Sequence, residues 1–159
     1  SKAEDYYVAG FSAGGHIASL WGTAALGAPK YGLPLPKGLL LGYPLISLTH
    51  IPEPLNSYFR KGLFGASFES ETADLYNAAG QMTQAYPPFY LVRAADDTTV
   101  SPQDGDDMET AARRCKVPHK METASAGGHG FGPGTGTPLA GWLKRGMAFL
   151  DTTQDTAAK

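Results

Sequence analysis

Tyr6-Tyr7-Val8-Ala9-Gly10 runs into Phe11-Ser12-Ala13-Gly14-Gly15 with hardly a residue of loop between them. The first five residues are a short apolar run rich in strand formers and read as a buried strand. Beyond the small-residue turn, His16 to Leu26 is rich in Ala and Leu and apolar nearly all round, the pattern of a buried helix. Gly27, Pro29 and Gly32 end it. A strand followed at once by a buried helix is the repeating unit of an α/β sheet.

The rest of the chain repeats the unit. Leu39 to Tyr43 is a second buried strand, stopped by Pro44. Pro87-Pro88 favours an extended backbone and leads into a third strand, Phe89 to Ala94. Asp104 to Lys116 is a helix with acidic residues early and Arg113, Arg114 and Lys116 late, complementing its macrodipole. Lys120 to Thr123 is a weak fourth strand, followed by a glycine-rich loop from Ala126 to Gly136. Pro138 to Asp151 is the last helix, with Leu139, Trp142, Leu143, Met147 and Leu150 along one stripe. Ser47 to Glu71 carries Pro52, Pro54 and the aromatics Tyr58, Phe59, Phe64 and Phe68, and reads as a partly helical excursion outside the sheet. Thr72 to Gln84 has room for a short helix. The expected plan is one α/β domain over residues 1–151, a mostly parallel sheet flanked by helices, with an insertion at 47–71 and a flexible tail at 152–159.

Composition narrows the function classes. The 159 residues carry 13 Lys and Arg against 15 Asp and Glu, a net charge of -2. That balance gives no basis for a nucleic-acid or anionic-membrane partner. No apolar run approaches the roughly 20 residues that span a bilayer. The single cysteine, Cys115, excludes an internal disulfide framework and a Cys-rich zinc site. In a parallel sheet, ligands bind beyond the carboxyl ends of the strands, so the loops after each strand are where chemistry is expected.

Gly10-Phe11-Ser12-Ala13-Gly14 is a G-x-S-x-G between a strand and a helix. Such a turn holds its serine in a strained backbone conformation and throws the hydroxyl out above the sheet edge. A side chain two positions to either side is expected to collide with the adjoining strand and helix. The Ala13 N–H at the helix start can donate to an oxyanion. A phosphate-binding turn is the other reading, but the stretch is not G-x-G-x-x-G and no Lys follows it.

A nucleophilic serine needs a base, and the base an orienting carboxylate. His16 lies on the buried helix, where a structural role is expected; His50 lies in the insertion; His119 precedes a strand and is expected to be exposed. His129 alone sits in a glycine loop, Gly127-Gly128-His129-Gly130-Phe131, that lets an imidazole swing over the sheet edge. Asp96 and Asp97 end the third strand, a position that also suits a helix cap or a weak metal site. The chain order Ser, Asp, His is that of the α/β-hydrolase arrangement.

The stretches GFSAGGHIAS (10–19), LLLGYPLIS (39–47), PPFYLVRAADDTTVSP (87–102) and AGGHGFG (126–132) together resemble the carboxyl-terminal half of α/β-hydrolase esterases. The resemblance covers nearly the whole chain and points to the group of carbohydrate acetyl esterases, feruloyl-type esterases and relatives of the prolyl-oligopeptidase catalytic domain. It implies Ser12 as nucleophile, His129 as general base and Ala13 as an oxyanion donor. The family's D-x-x-V maps the carboxylate to Asp97, with Asp96 as runner-up. It implies no metal and no organic cofactor. The activity implied is cleavage of small acyl or carbohydrate esters. A serine peptidase of the prolyl-oligopeptidase type shares the same three residues, and the insertion aromatics suit either an acyl or aryl pocket or an ordinary hydrophobic cover.

In that fold about four strands and two helices precede the serine, including an HGGG-type loop that supplies a second oxyanion donor. Here eleven residues precede Ser12 and none forms such a loop. The resemblance therefore implies a fold lacking its amino-terminal strands. It leaves open a catalytically silent half-domain that serves assembly or binding. It also leaves the strand Tyr6 to Gly10 with an open edge, expected to pair with a second copy or with a separately supplied amino-terminal half.

Overall fold

Four strands, β1 (Tyr7–Phe11), β2 (Gly38–Gly42), β3 (Phe89–Ala94) and β4 (His119–Ala124), pair side by side in chain order, all parallel. This computed structural model describes residues 5–65 and 70–157. Val8 lies opposite Leu39, Leu39 opposite Phe89, and Phe89 opposite His119.

Alternate residues of β2 and β3 face opposite layers. Leu39, Leu41, Phe89 and Leu91 pack with Ala18 and Leu20 of α1 (Ala13–Trp21) and with Met108, Ala111 and Ala112 of α4 (Pro102–Cys115). Leu40, Tyr90 and Val92 pack with Trp142 and Leu150 of α5 (Trp142–Ala157) on the other face. Cover on both faces explains why β2 and β3 read as unbroken apolar runs and not as alternating ones. Each fully buried Leu or Phe of these runs stabilises the fold by ~1.5–3 kcal/mol.

Helix ends differ from expectation for local reasons. The first helix starts at Ala13 and stops at Trp21, not Leu26. Gly22 is pressed against the Tyr86 ring, and the Thr23 hydroxyl donates to the Leu20 carbonyl, so the chain turns away. Helix α4 begins at Pro102: the Ser101 hydroxyl accepts the Gln103 N–H as an N-cap. Between β2 and β3 lie the helices α2 (Leu55–Phe64) and α3 (Ser70–Leu75), and turns follow Leu75 where a helix to Gln84 had room. Phe68 lies outside the described residues. The final helix begins at Trp142 and runs on through Ala157, across most of the segment read as a tail. There the Thr153 hydroxyl donates to the Leu150 carbonyl and the Gln154 amide to the Lys37 carbonyl. Among the described residues no helix is long and apolar enough to cross a membrane.

Candidate active site

Phe11 ends β1 and Ser12 turns the chain, at φ 53 and ψ -122, directly into α1. A positive φ on a residue with a side chain costs ~1–3 kcal/mol and persists only where the surroundings fix it. Here they do. The Ser12 N–H donates to the Gly42 carbonyl at 3.0 Å, and the Ser12 carbonyl accepts from Leu45 at 3.1 Å and from His16 at 3.2 Å. The serine is thus tied both to the end of β2 and to its own helix.

The steric requirement on the two motif glycines is not symmetrical. A Cβ on Gly10 would lie 2.3 Å from the Gly14 carbonyl oxygen and 2.6 Å from the Ala18 Cβ, so no side chain fits. A Cβ on Gly14 would meet nothing within 4 Å, which corrects the expectation that both positions exclude a side chain. The second tight contact falls at Gly15, whose Cβ would lie 2.6 Å from the Cβ of Pro44. Helix α1 is held close to the segment after β2 by that approach.

The structure brings Ser12, His129 and Asp97 together. His129 Nε2 stands 2.8 Å from Ser12 Oγ, and His129 Nδ1 stands 2.8 Å from Asp97 Oδ2. A carboxylate accepts only, so Nδ1 carries the proton and Nε2 is left to accept from the serine hydroxyl. The other Asp97 oxygen accepts the N–H groups of Thr99 at 2.8 Å and Val100 at 3.0 Å. Those two bonds are the physical content of the D-x-x-V spacing. The imidazole and the Asp97 carboxylate are 19% and 4% exposed, so water competes weakly for their bond.

Asp96 does different work. Its oxygens accept the Gly128 N–H at 2.7 Å and the Gly127 N–H at 3.3 Å. The Gly128 N–H is the main cause that holds this carboxyl below its usual range. The geometry therefore sets Asp97 on the imidazole and Asp96 on the backbone of the histidine loop.

Of the other histidines, His16 is buried in α1 with Nε2 2.7 Å from the Tyr76 carbonyl; loss of solvent pushes its pKa down. His119 is not the exposed residue expected: it opens β4, half-buried, with its ring stacked 5.6 Å from that of Phe89. His50 places Nδ1 2.6 Å from the buried carboxylate of Asp104, which also accepts the N–H groups of Ile46 and Ser47. Burial pushes the Asp104 carboxyl up, against the pull of these donors. Sequence reasoning missed this network, because an acid in a first helical turn reads the same whether it faces water or a neighbouring loop.

Tyr43 was missed as well. It follows β2 at φ 36, its hydroxyl accepts the Gly132 N–H at 3.1 Å, and its ring stands edge-on to His129 at 4.9 Å. Ala13 is the first residue of α1, where an N–H has no acceptor within its own helix. Of the insertion aromatics, Phe64 packs against Tyr76, while Tyr58 and Phe59 are exposed. Among the described residues no three His, Cys, Asp or Glu side chains converge on a metal-sized site.

No family model and no curated protein matches the chain. Solved structures match its fold. An acetyl ester-xyloside bifunctional hydrolase from Caldicellulosiruptor lactoaceticus is 24% identical with a TM-score of 0.71, over 94% of this chain and 56% of that one. A carboxylesterase from Lactobacillus plantarum is 26% identical with a TM-score of 0.67, over 85% and 50%. Esterase B from Lactobacillus rhamnosis is 21% identical with a TM-score of 0.70, over 96% and 55%. The chain spans about half the length of these structures.

Proposed function

We propose, from a parallel sheet flanked by helices that matches α/β-hydrolase structures over about half their length, that the protein is a serine esterase acting on small acyl or carbohydrate esters. Ser12 Oγ attacks the ester carbonyl while His129 Nε2 takes its proton. The tetrahedral intermediate places its oxyanion near the Ala13 N–H at the positive end of α1. His129 then returns the proton to the leaving alcohol, and an acyl-serine remains. Water attacks that ester by the same route in reverse and frees the acid. Asp97 keeps the imidazole in the tautomer that accepts at Nε2 and stabilises the imidazolium formed in each step.

The observation that carries the reading is the unbroken pair of 2.8 Å contacts from Ser12 through His129 to Asp97, built on a serine held at positive φ. The names of the structures with like fold agree with ester chemistry. The test is hydrolysis of p-nitrophenyl acetate with a burst of nitrophenolate equal to the enzyme present. Release that persists unchanged in Ser12→Ala would overturn the proposal.

A silent half-domain is the second reading. It would hold if no second donor joins the Ala13 N–H at the oxyanion, since loss of a single donor costs about 10²–10³ in rate. Under that reading the chain folds with the same contacts and shows neither burst nor turnover.

A further inference from the structure

We propose that Asp96 and Tyr43 are positioning residues that clamp the histidine loop from its two ends and so hold His129 between Ser12 and Asp97. The inference rests on the reading of His129 as general base. It assigns a task to two side chains that touch no reacting atom.

Gly128 and Gly130 flank His129 with φ of 60 and 84, values that glycine adopts freely and other residues rarely. A Cβ at either position would meet nothing within 4 Å, so the glycines are there for backbone conformation and not for lack of space. A segment of that kind is flexible by nature, whereas a general base must be placed closely: a misplacement of about 1 Å can cost about 10²-fold in rate.

Each end of the loop is tied to a different strand end. Before His129, the Asp96 carboxylate beyond β3 accepts the Gly127 and Gly128 N–H groups. After it, the Tyr43 hydroxyl beyond β2 accepts the Gly132 N–H. Tyr43 is itself fixed. It is buried, its N–H donates to the Val92 carbonyl at 2.7 Å, and its ring meets Phe131 at 4.5 Å and His129 at 4.9 Å, both edge-on. Edge-to-face contact restrains the tilt of the imidazole as well as its position. Asp97 orients the ring about one nitrogen; Asp96 and Tyr43 fix where the ring sits.

The test is a proton NMR measurement on the full chain. The His129 Nδ1 proton, hydrogen-bonded to Asp97, is followed as a downfield resonance that disappears in His129→Gln. Tyr43→Phe keeps the ring and removes the acceptor; Asp96→Ala removes both acceptors; Asp96→Asn keeps one. Circular dichroism checks that each variant stays folded. The clamp predicts severalfold faster exchange of this proton with water in Tyr43→Phe and in Asp96→Ala, partial rescue in Asp96→Asn, and loss of the resonance in the double variant. A resonance present in the parent chain and unaltered in the folded single and double variants would overturn the clamp while leaving the esterase reading intact. Absence of the resonance from the parent chain would overturn both.

Discussion

His129 Nε2 lies 2.8 Å from Ser12 Oγ, although 117 positions of sequence separate the two residues and they follow strands at opposite edges of the sheet. Three strand spacings of about 4.8 Å put those edges about 14 Å apart. The loop after β4 has to run back along the carboxyl edge to close that distance. At the end of β3 Asp96 and Asp97 meet it, the imidazole reaches the serine, and beyond the histidine Tyr43 at the end of β2 accepts the Gly132 N–H. The ends of β1, β2 and β3 all supply residues that contact the histidine or its loop.

Ser12 is expected to be the only serine labelled by an organophosphonate. Mass spectrometry of the treated chain should find one adduct, on the peptide containing Ser12, and none in Ser12→Ala. Labelling that survives this substitution would show that another hydroxyl is the reactive one.

Asp97→Asn is expected to lower kcat for a p-nitrophenyl ester by about 10⁴-fold, because an amide at that position favours the wrong imidazole tautomer. Asp96→Asn should cost far less, since one oxygen remains to accept a loop N–H. Steady-state kinetics on the two variants decide it, and equal losses would return the carboxylate role to an open choice between the pair.

Gly10→Ala and Gly14→Ala should differ sharply in stability. The first forces a methyl group to within 2.3 Å of a carbonyl oxygen and is expected to cost ~1–3 kcal/mol or more. The second places a methyl in open space inside α1 and should stabilise by up to ~1 kcal/mol through helix propensity. Urea unfolding of both variants measures the contrast; a Gly14→Ala loss as large as that at Gly10 would contradict it.

Stability should decline as pH falls below about 6.5, in part through His16. Burial lowers its folded pKa from a usual value of 6.5. Above that value both states are neutral and stability is full. Below it the unfolded chain takes up a proton that the folded chain refuses, and stability is lost down to the folded pKa. Thermal midpoints between about pH 7.5 and pH 5.5 should fall less steeply in His16→Gln than in the parent chain. Parallel declines in both would remove His16 from the account.

Among the described residues β1 pairs with β2 alone, which leaves a row of peptide groups on its other side open to a partner strand. Sedimentation velocity at micromolar concentration is expected to show a species heavier than one chain, and Ala9→Lys on that strand should weaken it. A monomer that unfolds cooperatively would show that the edge is protected.

The sequence made β2 and β3 readable because strands covered on both faces leave continuous apolar runs, and it made the turn at Ser12 readable because Gly10 tolerates no substitute. Helix ends were harder. The stop at Trp21 depends on the Tyr86 ring, and the run of α5 to Ala157 is accompanied by the Gln154 bond to Lys37; both partners are remote in sequence. In the candidate site, the expectation of Asp97 over Asp96 came from the D-x-x-V pattern of the resemblance, and within that stretch the Asp97 carboxylate accepts the Thr99 and Val100 N–H groups. Tyr43 carried no comparable sign: its partner, Gly132, is 89 positions away.

Because each strand lies beside the one before it in the chain, the sheet can be laid down as the polypeptide leaves the ribosome, every new strand docking on an edge already formed. Ser12 is fixed once the end of β2 and Leu45 have bonded to it, and His129 arrives only after β4. Until the last loop has crossed back over the sheet, nothing draws the proton from the serine. On the proposed mechanism, a nascent chain without that loop would carry an inert alcohol, and placement of His129 is the step that would make it reactive.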